Sequence, residues 1–227
     1  MKEHIYTIPI NEAFEQDGGC PLCRLKKTLE ENEIERITGA AMMEPSVRVK
    51  TNEQGFCFKH FEMIANNGKR HPAALILQSH LEEISAALQK KKGAALAKYI
   101  KELDGDCYIC RRLDASFSAV CENLVWLYDN DEKFADKFRK SGLCFSHAAS
   151  LLSEAEKALG KKKFQYFCDD VSKILLKETC GIREDVDWFC KKFDYRYKDE
   201  SWKNSRDSIE RAVGLLTGNL PKKGENA

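Results

Sequence analysis

The chain has 227 residues, of which 43% are apolar and 32% charged, and it carries ten cysteines. Its 37 lysines and arginines stand against 36 aspartates and glutamates, a net charge of +1, which excludes whole-surface attraction to nucleic acid or anionic membrane but leaves room for a local basic patch. A chain of this length buries an ample core without disulfide staples, so the cysteines call for another use.

No apolar run approaches the roughly 18 residues of a spanning helix, and Met1–Tyr6 lacks the apolar core of a signal peptide. A soluble cytoplasmic protein with reduced thiols and no membrane partner is expected. Period-2 alternation and hairpin turns are absent, so the fold class expected is all-α.

In chain order, a first helix opens at Cys20-Pro21, with Leu22, Leu25 and Leu29 on one face and Ile34 and Ile37 continuing it. A connecting helix begins near Pro45, and Gly55 separates it from a helix opening at Cys57. His71-Pro72 reads as a loop, and Leu75, Leu77, Leu81, Ile84 and Leu88 mark a long helix. The order then recurs. A helix from Cys107 carries Leu113, Phe117, Val120, Cys121, Leu124 and Leu127, and with Val125 and Trp126 added it reads as the more central of the two. A connector starts near Glu132, Gly142 precedes a helix at Cys144, and Phe164, Phe167, Val171, Ile174 and Leu175 mark the second long helix. The tail predicts a helix around Asp185–Lys192 and another from Asp207, with Glu210 as capping-box partner and Gly218 as its end. Pro221–Ala227 reads as disordered.

Four motifs carry chemistry: Cys20-Pro-Leu-Cys23, Cys57-Phe-Lys-His60, Cys107-Tyr-Ile-Cys110 and Cys144-Phe-Ser-His147. Each CxxC is followed by its CxxH after 33 residues, and the second set lies 87 residues after the first. Chance supplies about 0.4 CxxC pairs in a chain of this composition, so two complete sets at one offset are no accident. Arg24 and Arg111, Gly55 and Gly142, Leu88 and Leu175, and Lys90 and Lys177 share the offset. The reading is two tandem zinc-knuckle helical repeats, 13–95 and 100–182, with a helical tail, 183–220, packing on them in one domain.

Three thiolates and one imidazole suit tetrahedral Zn²⁺, and two ions are expected. Their ligands are Cys20, Cys23, Cys57 and His60, and Cys107, Cys110, Cys144 and His147. Motifs at helix starts place residues i and i+3 on one side and offer free N–H groups to thiolate sulfur. Closure within each repeat is the simpler arrangement, and exchange of ligands between repeats is the alternative. Iron–sulfur ligation is a second chemistry, for which four cysteines are more usual. A closed four-ligand set leaves no position for substrate, which favours a structural role, and no catalytic residue is assigned.

Cys121 and Cys168 read as core residues, and Cys180 and Cys190 as ordinary helix residues, with a redox pair as the alternative. His80, opposite Phe167 at the offset, reads as a packed histidine; His71 and His4 have no ligand set.

CPLC, GFCFKH, CYIC and GLCFSH, followed by the tail KKFDYRYKDESW…RAVGLLTG, resemble an uncharacterised bacterial family with duplicated CxxC…CxxH helical units and a C-terminal FDYR segment. The resemblance covers nearly the whole chain. It implies the metal sites and the helical architecture and no established activity.

Two other segments are candidates for function. Glu44–Asn52, read as a connector, departs from its counterpart at constant length. Phe193–Arg206 interleaves aromatics and cations, as a nucleic-acid surface would, although draping over a helical body with charges outward explains the same composition. Glu44, Arg48, Asp194, Tyr195 and Arg196 could line a pocket, but no spacing requires it. The expected function is a non-catalytic zinc protein that binds another protein. The alternatives are a nucleic-acid-binding regulator, which the charge balance disfavours, and a thiol/zinc redox switch.

Overall fold

The computed structural model describes residues 6–16 and 18–218, so His4, Asp17 and the segment 221–227 expected to be disordered lie outside the described residues. In chain order the helices are α1 (Thr7–Glu15), α2 (Pro21–Ile37), α3 (Pro45–Gln54), α4 (Phe58–Asn66), α5 (Arg70–Lys90), α6 (Gly93–Asp104), α7 (Tyr108–Asn130), α8 (Glu132–Lys140), α9 (Phe145–Ala158), α10 (Lys161–Lys191) and α11 (Ser208–Thr217). Single 3-10 turns lie at Ala40–Met43 and Tyr195–Tyr197, and there is no strand among the described residues. The fold is all-α.

The chain forms two compact units. One holds the residues up to Lys26 together with those from Phe117 onward, and the other holds Lys27–Ser116. The boundaries fall inside α2 and α7, so the second unit is one continuous stretch and the first joins the two ends of the chain.

The first unit is built on aromatic packing. Asp131 caps α8 by accepting from the backbone N–H groups of Lys133 and Phe134. That fixes the start of a helix whose Phe134 and Phe138 are fully buried. Phe138 lies 5.3 Å from Phe167 of α10 and 5.3 Å from Tyr128 of α7, while Phe14 of α1 lies 5.1 Å from Phe134. Asp170 of α10 accepts from Tyr128 Oη and Arg139 Nε, both at 2.8 Å, and so ties three helices at the edge of this cluster.

The second unit buries Ile34 and Ile37 of α2, Val47 of α3, Ile64 of α4, Ala73 and Ile76 of α5, and Ile109 and Leu113 of α7. Here the apolar pattern misleads. Leu77, Leu81 and Leu88 of α5 are exposed, and the buried face is Ala73, Ile76 and His80. The packed residues recur at helical spacing, but the smaller Ala73 and the polar His80 kept them out of a leucine pattern. His71 and Pro72 lie in the first turn of α5, where a proline needs no N–H partner, rather than in a loop.

Other expectations also change. Val125 is buried, but Trp126 is exposed. The helix expected around Asp185–Lys192 is the end of α10, which runs 31 residues straight through Gly181. α11 starts and ends where expected, but Asp207 forms no capping hydrogen bond and instead accepts from Arg211 Nε at 2.9 Å. α1 and α6 were not anticipated: α1 is nine residues long without a side-chain cap, and α6 has no buried residue to give it a pattern. Among the described residues no helix is long and apolar enough to cross a membrane.

Phe138→Ala removes the ring at the centre of the aromatic cluster. It should cost about 3–5 kcal/mol in urea unfolding, whereas Tyr195→Ala, at a ring 86% exposed, should cost far less.

Candidate metal centres

Each of the four motifs opens a helix. Pro21 and Tyr108 are the first residues of α2 and α7, and Cys57 and Cys144 are the N-caps of α4 and α9. Position i+3 then falls in the first turn, on the same side. The Cys110 N–H points back at Cys107 Sγ at 3.5 Å, the use of free helix-start donors that the sequence suggested.

All eight sequence-predicted residues come together, in two groups of four whose donor atoms lie within 4.8 Å of one another. The grouping is the exchanged one. Cys20 and Cys23 meet Cys144 and His147, and Cys57 and His60 meet Cys107 and Cys110. Closure within each 33-residue interval is therefore overturned. Loop entropy does little to oppose the exchanged grouping: closing 121 residues (Cys23 to Cys144) rather than about 34 costs only about 1 kcal/mol more. Helix packing outweighs a difference of that size. Each group lies wholly within one compact unit.

Backbone contacts set the pairing. In the second unit the Tyr108 N–H donates to the Gly55 carbonyl at 3.0 Å, which brings the turn before Cys57 against the start of α7. In the first unit Gly142 packs on Gly19; a Cβ on Gly142 would stand 2.8 Å from the Gly19 carbonyl oxygen, so no larger residue fits without displacing it. Arg24 and Arg111 secure the loops that precede their CxxC motifs. Arg24 donates to the Ala13 and Gln16 carbonyls at 2.8 and 2.9 Å, and Arg111 to Asp106 at 2.5 Å.

The group in the first unit is buried. His147 Nδ1 lies 3.6, 3.3 and 3.2 Å from the sulfurs of Cys20, Cys23 and Cys144, and Cys23 Sγ lies 3.8 Å from Cys144 Sγ. The end of α11 closes over it, with the Cys23 thiol 3.1 Å from the Gly218 carbonyl oxygen. Gly218 has a φ of 75°, and a Cβ there would stand 2.9 Å from Ser146 Cβ and 3.3 Å from Cys144 Sγ, so this cap requires glycine. Sharing with Cys144 and Cys23 pulls the Cys20 thiol well below its ordinary range against the effect of burial, while Cys144 and Cys20, together with burial, push Cys23 far up. One thiolate is thus favoured beside protonated neighbours.

The group in the second unit is more open, with Cys57 and Cys110 half-buried and His60 and Cys107 buried. His60 Nδ1 lies 3.2 Å from Cys57 and Cys107 and 3.5 Å from Cys110, and the Cys57 and Cys110 sulfurs are 3.9 Å apart. Burial raises the Cys107 thiol, but hydrogen bonds, led by that from His60, bring it down to about 6. Burial opposes charge on His60 too, yet Cys107 and Glu30 lift it to about 10. Glu30, unnoticed in the sequence, lies 3.0 Å from His60 Nε2. Only its place on α2, seven residues after Cys23, could have marked it.

These groups fit a tetrahedral metal. Zn–S bonds of about 2.3 Å and a Zn–N bond of about 2.05 Å imply S···S edges of about 3.8 Å and S···N edges of about 3.6 Å. The sulfur pairs at 3.8 and 3.9 Å match, the S···N distances of 3.2–3.6 Å reach the same range, and every cysteine is free.

The remaining candidates do not form sites. Cys121 is buried and burial pushes its thiol up to about 12, while Cys168 is half-buried. Cys180 and Cys190 share α10, whose rise keeps them about 15 Å apart, too far for a disulfide. His80 is buried and its Nδ1 lies 2.9 Å from the Asn52 carbonyl oxygen, the packed role expected. Asp194 and Arg196 pair with each other on the exposed tail, while Glu44 and Arg48 belong to the other unit, at the start of α3.

The tail folds back on the end of α10 only in part. Lys192 donates to the Tyr197, Lys198 and Glu200 carbonyls, Trp188 to the Ser201 carbonyl at 3.0 Å, and Phe189 packs on Trp202 at 5.7 Å. Phe193 and Tyr195 remain exposed. Lys203 sits 3.5 Å from the Trp188 ring centre, and Lys192 and Arg206 lie over Trp202. The cations thus lie over Trp188 and Trp202, while the Phe193 and Tyr195 rings stay open.

Residues 1–223 match a family of unknown function, DUF6062. The chain belongs to that family. No curated protein and no solved structure matches it. DUF6062 membership extends over both ligand groups and the tail, in keeping with the resemblance read from the motifs.

The exchanged grouping is testable by counting metal. The double variant Cys23→Ser with His147→Ala damages one group and should retain one bound equivalent. Cys23→Ser with His60→Ala damages both and should retain none. Closure within each 33-residue interval would give the opposite pair of counts by elemental analysis.

Proposed function

We propose that this DUF6062 protein is a helical scaffold holding two structural zinc ions, one in each compact unit, and that it acts by binding another protein rather than by catalysis. The observation that carries the reading is the gathering of three sulfurs and one imidazole nitrogen within 4.8 Å in each group, with S···S pairs at 3.8 and 3.9 Å that equal an edge of a ZnS₃N tetrahedron. Three thiolates and an imidazole are a soft set that disfavours magnesium and calcium, and zinc asks nothing of them but tetrahedral geometry. With four protein ligands an ion has no open position for substrate. Its work is mechanical: it locks one helix start onto another. The recurrence at 87 residues, which extends to α1 and α6 before the two CxxC motifs, supports an origin by duplication.

Partner binding is supported by α5, where Leu77, Leu81 and Leu88 form one exposed aliphatic stripe. The thiolates require surroundings that keep them reduced.

The purified full-length protein should carry two equivalents of zinc and lose much of its far-UV helical signal on chelation. Protons compete with the metal for three thiolates and an imidazole at each centre, so zinc should be held at neutral pH and released as pH falls toward 5, helicity falling with it. A chain that keeps full helicity after complete metal removal would contradict a structural role.

A further inference from the structure

The two ligand groups differ in what stands behind their histidines. His60 Nε2 lies 3.0 Å from Glu30 Oε1, and the same oxygen takes a hydrogen bond from Lys59 Nζ at 2.5 Å. The Glu30 side chain is only 14% exposed, on the face of α2 that meets the start of α4. His147 has an aromatic ring in that place. The Phe117 ring centre lies 5.0 Å from the imidazole, with Lys26 Nζ 5.3 Å from the same ring. Residues 30 and 117 are themselves 87 apart, so the same relative position carries a carboxylate in one group and a benzene ring in the other.

We propose that Glu30 is the positioning residue of the Cys57/His60/Cys107/Cys110 centre, that it sets how tightly this centre holds its metal, and that the Cys20/Cys23/Cys144/His147 centre works without such a residue. This deepens the zinc reading and rests on it. A neutral imidazole carries one N–H and one lone pair. Donation from Nε2 to Glu30 leaves the lone pair on Nδ1, the atom that lies 3.2 Å from the Cys57 and Cys107 sulfurs. The carboxylate also fixes the plane of the ring and makes Nδ1 a stronger donor. Lys59, next to His60 in the chain, donates to the same Glu30 oxygen and balances its charge. This support suits the more open centre, where two of the three sulfurs are only half-buried and a competing chelator has easier access.

The test uses the zinc-loaded full chain, with Glu30→Ala and Glu30→Gln, and follows zinc transfer to excess chromogenic chelator. The phase belonging to this centre is identified as the one that Cys57→Ser abolishes. Glu30→Ala should speed that phase by about 10–100-fold and leave the other unchanged. Glu30→Gln keeps an acceptor but not the charge and should fall between. The His60 Nε2–H resonance, protected in the wild type, should exchange rapidly with solvent in Glu30→Ala, a change that a mere helix-packing role would not produce. Equal acceleration of both phases, or wild-type rates in both variants, would overturn the proposal. If Glu30→Ala loses helicity, Glu30→Gln decides alone: a faster single phase supports the proposal and an unchanged one overturns it. A wild-type chain that takes up no zinc would overturn the zinc reading together with this one, whereas two tightly held ions and indifferent variants would remove the role of Glu30 only.

Discussion

In each unit the start of one helix faces the start of another, and three thiols and an imidazole fill the space between them. Protonated, they are a polar hole in a core. Bound to one ion, they become a rigid joint between segments 47 or 121 residues apart in the chain. The surrounding features serve that joint. Gly142 lets the backbone come against Gly19, the Gly55 carbonyl receives the Tyr108 N–H, and Gly218 permits α11 to close over the first group.

The apolar cores around the two joints are unequal. The first unit packs Phe14, Phe134, Phe138 and Phe167 into one aromatic cluster, adds the Asp170 ties, and seals its ligand group under α11. The second unit packs aliphatic residues around Phe56, whose ring centre lies 5.3 Å from Phe61 and 6.4 Å from Tyr108, leaves Leu81 and Leu88 of α5 exposed, and has half-buried sulfurs. The more open group is also the one where a carboxylate stands behind the histidine, Glu30 Oε1 lying 3.0 Å from His60 Nε2.

Much of this was legible in the residues. The ligand types, their i, i+3 spacing and the proline or glycine beside them placed all four motifs at helix starts, because few other local structures put such a pair on one side. The start of α8 near Glu132 was equally readable. Which halves join was not. Pairing depends on backbone contacts such as Gly55 with Tyr108, which leave no mark in spacing, while loop length, the one clue that does, is worth only about 1 kcal/mol. The buried face of α5 was misread because His80, held by the Asn52 carbonyl, takes a place that leucine would normally mark. Glu30 was hidden because a glutamate on an amphipathic helix reads as solvated surface until His60 is seen against it.

The central claim is that each ion is shared between the CxxC motif of one 87-residue set and the CxxH motif of the other. Cadmium substitutes for zinc in thiolate-rich sites and carries a spin-½ isotope, so a ¹H–¹¹³Cd correlation spectrum reads directly which cysteines share an ion. The account predicts that the β-protons of Cys20, Cys23 and Cys144 correlate with one cadmium resonance and those of Cys57, Cys107 and Cys110 with the other. A resonance shared by Cys20, Cys23 and Cys57 would contradict it.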